Sequence, residues 1–154
     1  MRVTSPAFEE GEIIPAHWCA PASDTLPRLE IVDVPPEAAS LVVILEDPES
    51  PLGTVTHWLV WNIPPTTRYL DPQDLPAGAR VGMDTYGQTG EMGPPPPAGR
   101  RHYRWEILAL DIVLDLPAGA SRVHLDRALQ GHVIERGRLT AVVEHPESGD
   151  ARGE

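Results

Sequence analysis

The chain has 154 residues, 41% of them hydrophobic, which is the size of one domain and enough to bury a core. Its formal net charge of -11 excludes the basic face that nucleic acid or an anionic membrane surface requires. All 12 basic residues are arginine, no apolar run approaches a membrane span, and the single cysteine, Cys19, excludes a disulfide framework and a four-cysteine metal site. With no apolar run after Met1-Arg2 there is no signal peptide pattern, and one thiol read as a small buried hydrophobe fits a reducing, cytoplasmic setting.

In chain order, Phe8 and Ile13-Ile14 predict one short edge strand after a turn at Glu9-Glu10-Gly11, and residues 20–27 a loop. Residues 28–32 alternate as a strand. Residues 40–46 are an almost continuous apolar strand, buried on both faces. Residues 55–63 form the next, ended by Pro64-Pro65. Residues 64–100 are rich in proline and glycine. Within them a glycine coil from Tyr86 to Gly93 runs into four consecutive prolines at 94–97, which hold an extended geometry. Residues 101–110 are a strand with Tyr103, Trp105 and Ile107 on one face and Leu108 and Leu110 on the other. Ser121 caps a helix through Gln130, closed by Gly131, with Val123, Leu125 and Leu129 toward the core and Asp126 and Arg127 outward. Residues 139–144 are a last strand, and the tail from Pro146 is polar. Without βαβ alternation, the fold class is mainly β, largely antiparallel, with one or two short helices, in a single domain over 1–154. Trp58, Trp61 and Trp105 are expected to dominate packing.

Two stretches carry chemistry. Asp47, Glu49 and His57 flank the turn between two apolar strands, where a β scaffold places functional groups. Strand alternation puts His57 on the face of Leu59 and Trp61, either as a satisfied core residue or as an imidazolium favoured by a nearby carboxylate. The second stretch is Gly99-Arg100-Arg101-His102-Tyr103. Arginine pairs with planar oxyanions, and alternation points Arg101 and Tyr103 one way, His102 and Arg104 the other. No histidine pair has metal-ligand spacing, no nucleophile elbow is present, and the glycines at 87, 90 and 93 lack the Gly-Lys-Ser/Thr of a phosphate loop. These features predict a pocket for a small anion, with no metal, no cofactor and no catalytic residue.

The motifs together resemble the phosphatidylethanolamine-binding protein family, most of all its bacterial and archaeal branch, often called Raf-kinase-inhibitor-like. They are Asp47-Pro48-Glu49-Ser50-Pro51, His57-Trp58, Asn62-Ile63-Pro64, the run from Gly90 to Gly99, and Tyr103 through Ala109-Leu110-Asp111. The resemblance implies a central antiparallel sheet packed with a smaller sheet. It also implies a pocket for phosphate, acetate or a phospholipid head group, lined by Asp47, Glu49, His57, Pro95 and Tyr103. Family members read His-Arg-Tyr where this chain has Arg101-His102-Tyr103. Either Arg101 takes the pocket position, strengthening oxyanion binding or filling the space, or a one-residue bulge restores His102. Glu91 replaces a usual tyrosine, and Leu26-Pro27 an early Ser-Pro. Two other functions fit the residues: an inhibitor of a kinase or protease presenting the proline loop at 94–97, and a phosphoester hydrolase using Asp47, Glu49 and His57. The protein partner is unspecified, and a homodimer is consistent with this branch.

Overall fold

The computed structural model describes residues 1–15, 26–50, 53–85 and 99–145. Cys19, most of the loop expected over 20–27, the glycine coil with Glu91, the prolines at 94–97 including Pro95, and the tail from Pro146 lie outside the described residues.

Nine strands and one helix are found among the described residues: β1 Arg2–Thr4, β2 Ile13–Pro15, β3 Leu29–Val32, β4 Ser40–Asp47, β5 Val55–Ile63, β6 Tyr69–Leu70, β7 Arg80–Val81, β8 Gly99–Leu110, α1 Arg122–Leu129 and β9 Val133–His145. They form a six-stranded sheet of order β2-β9-β8-β4-β5-β7 and a three-stranded sheet of order β1-β3-β6. The fold is mainly β, as expected. All pairs are antiparallel except β2 with β9, at the edge of the large sheet.

β4 explains the architecture. Its sequence S-L-V-V-I-L-E-D is buried at every position because β5 and β8 flank it and both faces are covered. On one face Leu41, Val43 and Leu45 join Trp58, Val60, Trp105 and Ile107 against Leu29, Ile31 and Leu70 of the small sheet. On the other, Val42 and Ile44 join Leu59, Trp61, Leu108 and Leu110 beneath Leu125 and Leu129 of α1. The molecule is thus layered as small sheet, large sheet, helix. Burying a side chain of this kind is worth roughly 1.5–3 kcal/mol, so the two clusters carry most of the stability. Trp58, Trp61 and Trp105 all sit in them.

The helix matches its expected limits. The Ser121 side chain accepts from the His124 N–H, and Gly131 follows with a φ of 80°. Val123, expected in the core, is instead 57% exposed. Leu125 and Leu129, four apart, share one face of the helix, and a residue two positions before Leu125 lies about 200° around it. β9 begins six residues earlier than residues 139–144 indicated. Its first half, V-I-E-R-G-R, lacks apolar alternation, and the cross-strand pair Arg138–Glu106 at 2.6 Å helps hold it to β8. β1, β6 and β7 were not anticipated, because two or three residues are too few to show a period.

β5 carries a bulge near its end. Leu41 pairs with Ile63 but Val43 with Val60, so the strand holds one extra residue there, and Asn62 has a φ of 58°. Asn62 Nδ2 donates to the Leu114 carbonyl at 2.9 Å, and the Leu114 N–H donates to Asn62 Oδ1 at 2.8 Å. Asparagine is one of the few residues that tolerate this backbone region. In Asn62-Ile63-Pro64 its work is therefore to tie β5 to the segment before α1.

Candidate functional site

A second bulge in β5 builds the site. Leu45 pairs with Trp58 and Glu46 with Thr56, which leaves His57 without a counterpart on β4. An extra residue breaks strand alternation locally and re-aims its side chain. His57 therefore does not share the face of Leu59 and Trp61, which lie under α1. Its ring stacks on Tyr103, with centroids 4.9 Å apart and planes 17° apart, on the side of Trp58 and Val60.

β8 brings the second wall. Its pairing with β9 runs without a shift from Gly99 to Ala109, so no bulge separates Arg101 from His102. Arg101 and Tyr103 consequently point inward and are buried, while His102 is exposed. Arg101 occupies the inward position, and His102 is not restored to it.

Asp47 ends β4 beside them. Arg101 Nε donates to Asp47 Oδ2 at 2.6 Å, with side chains 8% and 1% exposed. The other carboxylate oxygen accepts the Glu49 N–H at 2.9 Å, an aspartate turn that fixes the start of the loop. One side chain thus positions both the arginine and the Asp47-Pro48-Glu49 segment.

Glu49 goes elsewhere. It accepts the His102 N–H at 2.7 Å and lies 3.1 Å from His102 Nδ1, at the exposed side of β8. The backbone hydrogen bond, then the side-chain one, hold its carboxyl below the ordinary glutamate range. The structure therefore gathers Asp47, His57, Arg101 and Tyr103, leaves Glu49 at an exposed pair with His102, and Pro95 lies outside the described residues.

The electrostatics differ from a simple cationic pocket. Burial, and secondarily the Arg101 charge, push His57 down to about pKa 4, so the imidazole is neutral at pH 7. Of the two alternatives for His57, the imidazolium is thus disfavoured by burial and by Arg101, and among the described residues Asp47 is engaged by Arg101 and makes no hydrogen bond to His57. His57 Nε2 is buried without a hydrogen-bond partner among the described residues, as are Trp105 Nε1 and Arg104 Nε. Of the three, only His57 stacks on Tyr103 and feels the charge of Arg101.

The opposite face of the large sheet holds a cleft of about 530 Å³ lined by Ile44, Glu106, Leu108, Arg122, Leu129 and Arg136, among others. Its arginines are already committed. Arg122 reaches Asp126, Glu46 and Thr56 Oγ1, and Arg136 faces Glu106. Among the described residues no three His, Cys, Asp or Glu side chains gather as a metal site would need, and no helix is long and apolar enough to cross a membrane.

With the geometry in view, the profile of the family described as phosphatidylethanolamine-binding protein matches residues 4–144. The chain belongs to the phosphatidylethanolamine-binding protein family. A UPF0098 protein of Pyrococcus horikoshii is 39% identical over 150 residues, covering 91% of this chain and 75% of its own. A crystal structure from Chlamydia trachomatis, described as a phosphatidylethanolamine-binding protein homologue, superposes with a TM-score of 0.84 at 34% identity, covering 94% of this chain and 97% of that one. The Escherichia coli protein YbcL, described as a new member of the mammalian family, gives a TM-score of 0.82 at 28% identity, covering 94% and 98%.

Side chains from three strands meet here. Asp47 comes from the end of β4, His57 from the bulge in β5, and Arg101 and Tyr103 from β8. Sequence reasoning missed two things here. One is the bulge at His57, which has no residue-type signal. The other is the charged layer beneath α1, which Glu46 and Glu106 inside apolar strands could have revealed, since buried carboxylates need partners.

Proposed function

We propose that this protein binds a small ligand through one oxyanion group, a phosphate or a phospholipid head group, where β4, β5 and β8 meet. The supporting observation is the buried Asp47–Arg101 pair beside His57, whose buried Nε2 has no partner among the described residues. A buried polar atom left unsatisfied costs free energy, and a ligand atom would recover it. The family name supports the ligand class. Arg101 supplies charge and a hydrogen-bonding fork, neutral His57 one hydrogen bond, and Tyr103 a flat support for the imidazole. Asp47 sets the guanidinium. Pro95 borders the site by the family resemblance, and Glu49 acts at its edge through His102.

The reading is binding rather than turnover, and a regulatory role for the bound form is part of it. Hydrolysis by Asp47, Glu49 and His57 would need these groups to act together. Asp47 and Glu49 instead serve separate partners, and His57 titrates near pH 4. A cytoplasmic setting belongs to the same proposal, on the strength of the single cysteine.

Calorimetric titration with inorganic phosphate and with glycerophosphoethanolamine tests this. Saturable binding weakened at least about tenfold in His57→Ala, a loss of roughly 1.4 kcal/mol, is the expected result. Absence of binding by the wild type, or equal binding by the variant, would contradict it. Turnover of a generic phosphoester that disappears in Asp47→Asn would favour the hydrolase.

A further inference from the structure

We infer that the Asp47–Arg101 pair makes this site selective for ligand charge: it takes an oxyanion group bearing one negative charge, as in a phosphodiester or a carboxylate, over one bearing two. This rests on reading the site as an anion pocket.

The argument is electrostatic. Removing an ion from water costs free energy that grows with the square of its charge, so a dianion pays about four times what a monoanion of the same size does. A buried site recovers that only with uncancelled positive charge or with many aimed donors. Arg101 is the buried cation that acts on His57, and the Asp47 carboxylate 2.6 Å from its Nε offsets part of its charge for a ligand that meets the pair. His57 adds a hydrogen bond and no charge, since burial and Arg101 both hold it neutral. Tyr103, stacked on it, brings a ring and a hydroxyl and no basic group.

The remaining described charges near these strands do not tip the balance. Glu49 and His102 face the exposed side of β8, where the glutamate opposes a second negative charge. Glu46 is turned to the opposite face of the sheet, with Arg104 and Arg122. A histidine at the position of Arg101 would titrate with pH, whereas the arginine is permanently charged and is held by Asp47 at 2.6 Å. Asp47 is thus a specificity-determining residue.

The test uses three probes at pH 7.5, followed by calorimetry and by the His57 side-chain resonances: dimethyl phosphate, with one fixed charge; methyl phosphate, mostly dianionic because its second ionisation lies near about pH 6; and sulfate, a dianion throughout. Dimethyl phosphate is expected to bind at least about tenfold tighter than the other two. In Asp47→Asn the field of Arg101 is released, and the preference should shrink or reverse. Should that variant not fold, the order of the three probes on the wild type decides the inference by itself. Wild-type binding of sulfate or methyl phosphate as tight as dimethyl phosphate overturns the inference. If no probe binds or moves His57, the anion-pocket reading itself is lost, which is a different result.

Discussion

Glu46 and Asp47 are consecutive carboxylates at the end of β4, both buried, and they face opposite sides of the large sheet. Glu46 lies between Arg104 at 3.3 Å and Arg122 at 3.6 Å, and on the same face of the sheet Glu106 lies between Arg138 and Arg136. Among the described residues Asp47 has one arginine, held at 2.6 Å, and a neutral histidine nearby whose buried Nε2 has no partner. The first arrangement distributes each carboxylate over two cations and ties α1 and β9 to the sheet. The second concentrates one tight pair beside a buried imidazole nitrogen that has no partner among the described residues. Buried charge alone therefore does not mark a site.

This contrast can be broken by substitution. Arg101→Leu removes the arginine seen to pair with Asp47 and leaves that carboxylate buried, so urea unfolding should show a loss of about 3–5 kcal/mol. Arg104→Leu leaves Glu46 with Arg122, and the same measurement should show only about 1–2 kcal/mol. Equal losses would erase the distinction between the two faces.

pH separates them further. His57 has a folded pKa near 4, below the ordinary 6.5, so between these values the unfolded chain binds the extra proton. Stability should rise as pH increases from 4 to 6.5 and be fully present above that, by up to about 3 kcal/mol. His57→Gln should flatten this part of the profile, and a wild-type profile already flat there would refute the buried, neutral histidine.

Packing under the helix face gives a smaller effect. A Cβ on Gly82 would lie 2.6 Å from Trp61 Cζ3 and 2.7 Å from the Ala120 carbonyl oxygen. Gly82→Ala should cost about 1–3 kcal/mol in thermal or urea unfolding, without changing anion binding. The smallest effect is at the helix cap. Ser121 accepts from the His124 N–H at a long 3.5 Å, so Ser121→Ala should cost about 0.5 kcal/mol, at the low end for a cap.

The elements legible in the sequence were those with enough residues to show a period or a cap. Residues 55–63 coincide with β5, and Ser121 and Gly131 frame α1. β9 was half legible, because its first residues are held by ion pairs and not by apolar alternation. Val123 misled because an apolar residue was given the core face without checking its angle to Leu125 and Leu129. In the site, alternation put Arg101 and Tyr103 on one face, and the structure shows that face turned inward. The direction of His57 did not, since a single inserted residue reverses the rule from which it was derived. Its charge state stayed open for a related reason: proximity of Asp47 in sequence said nothing of which cation Asp47 would choose.

The most direct test of the account is the imidazole 15N spectrum of His57 at pH 7, recorded while dimethyl phosphate is added. The account predicts a neutral ring at the start and a saturable shift at Nε2, with the exposed His102 ring little changed. A ring already protonated, or an Nε2 signal that stays fixed as ligand saturates the protein, would contradict it.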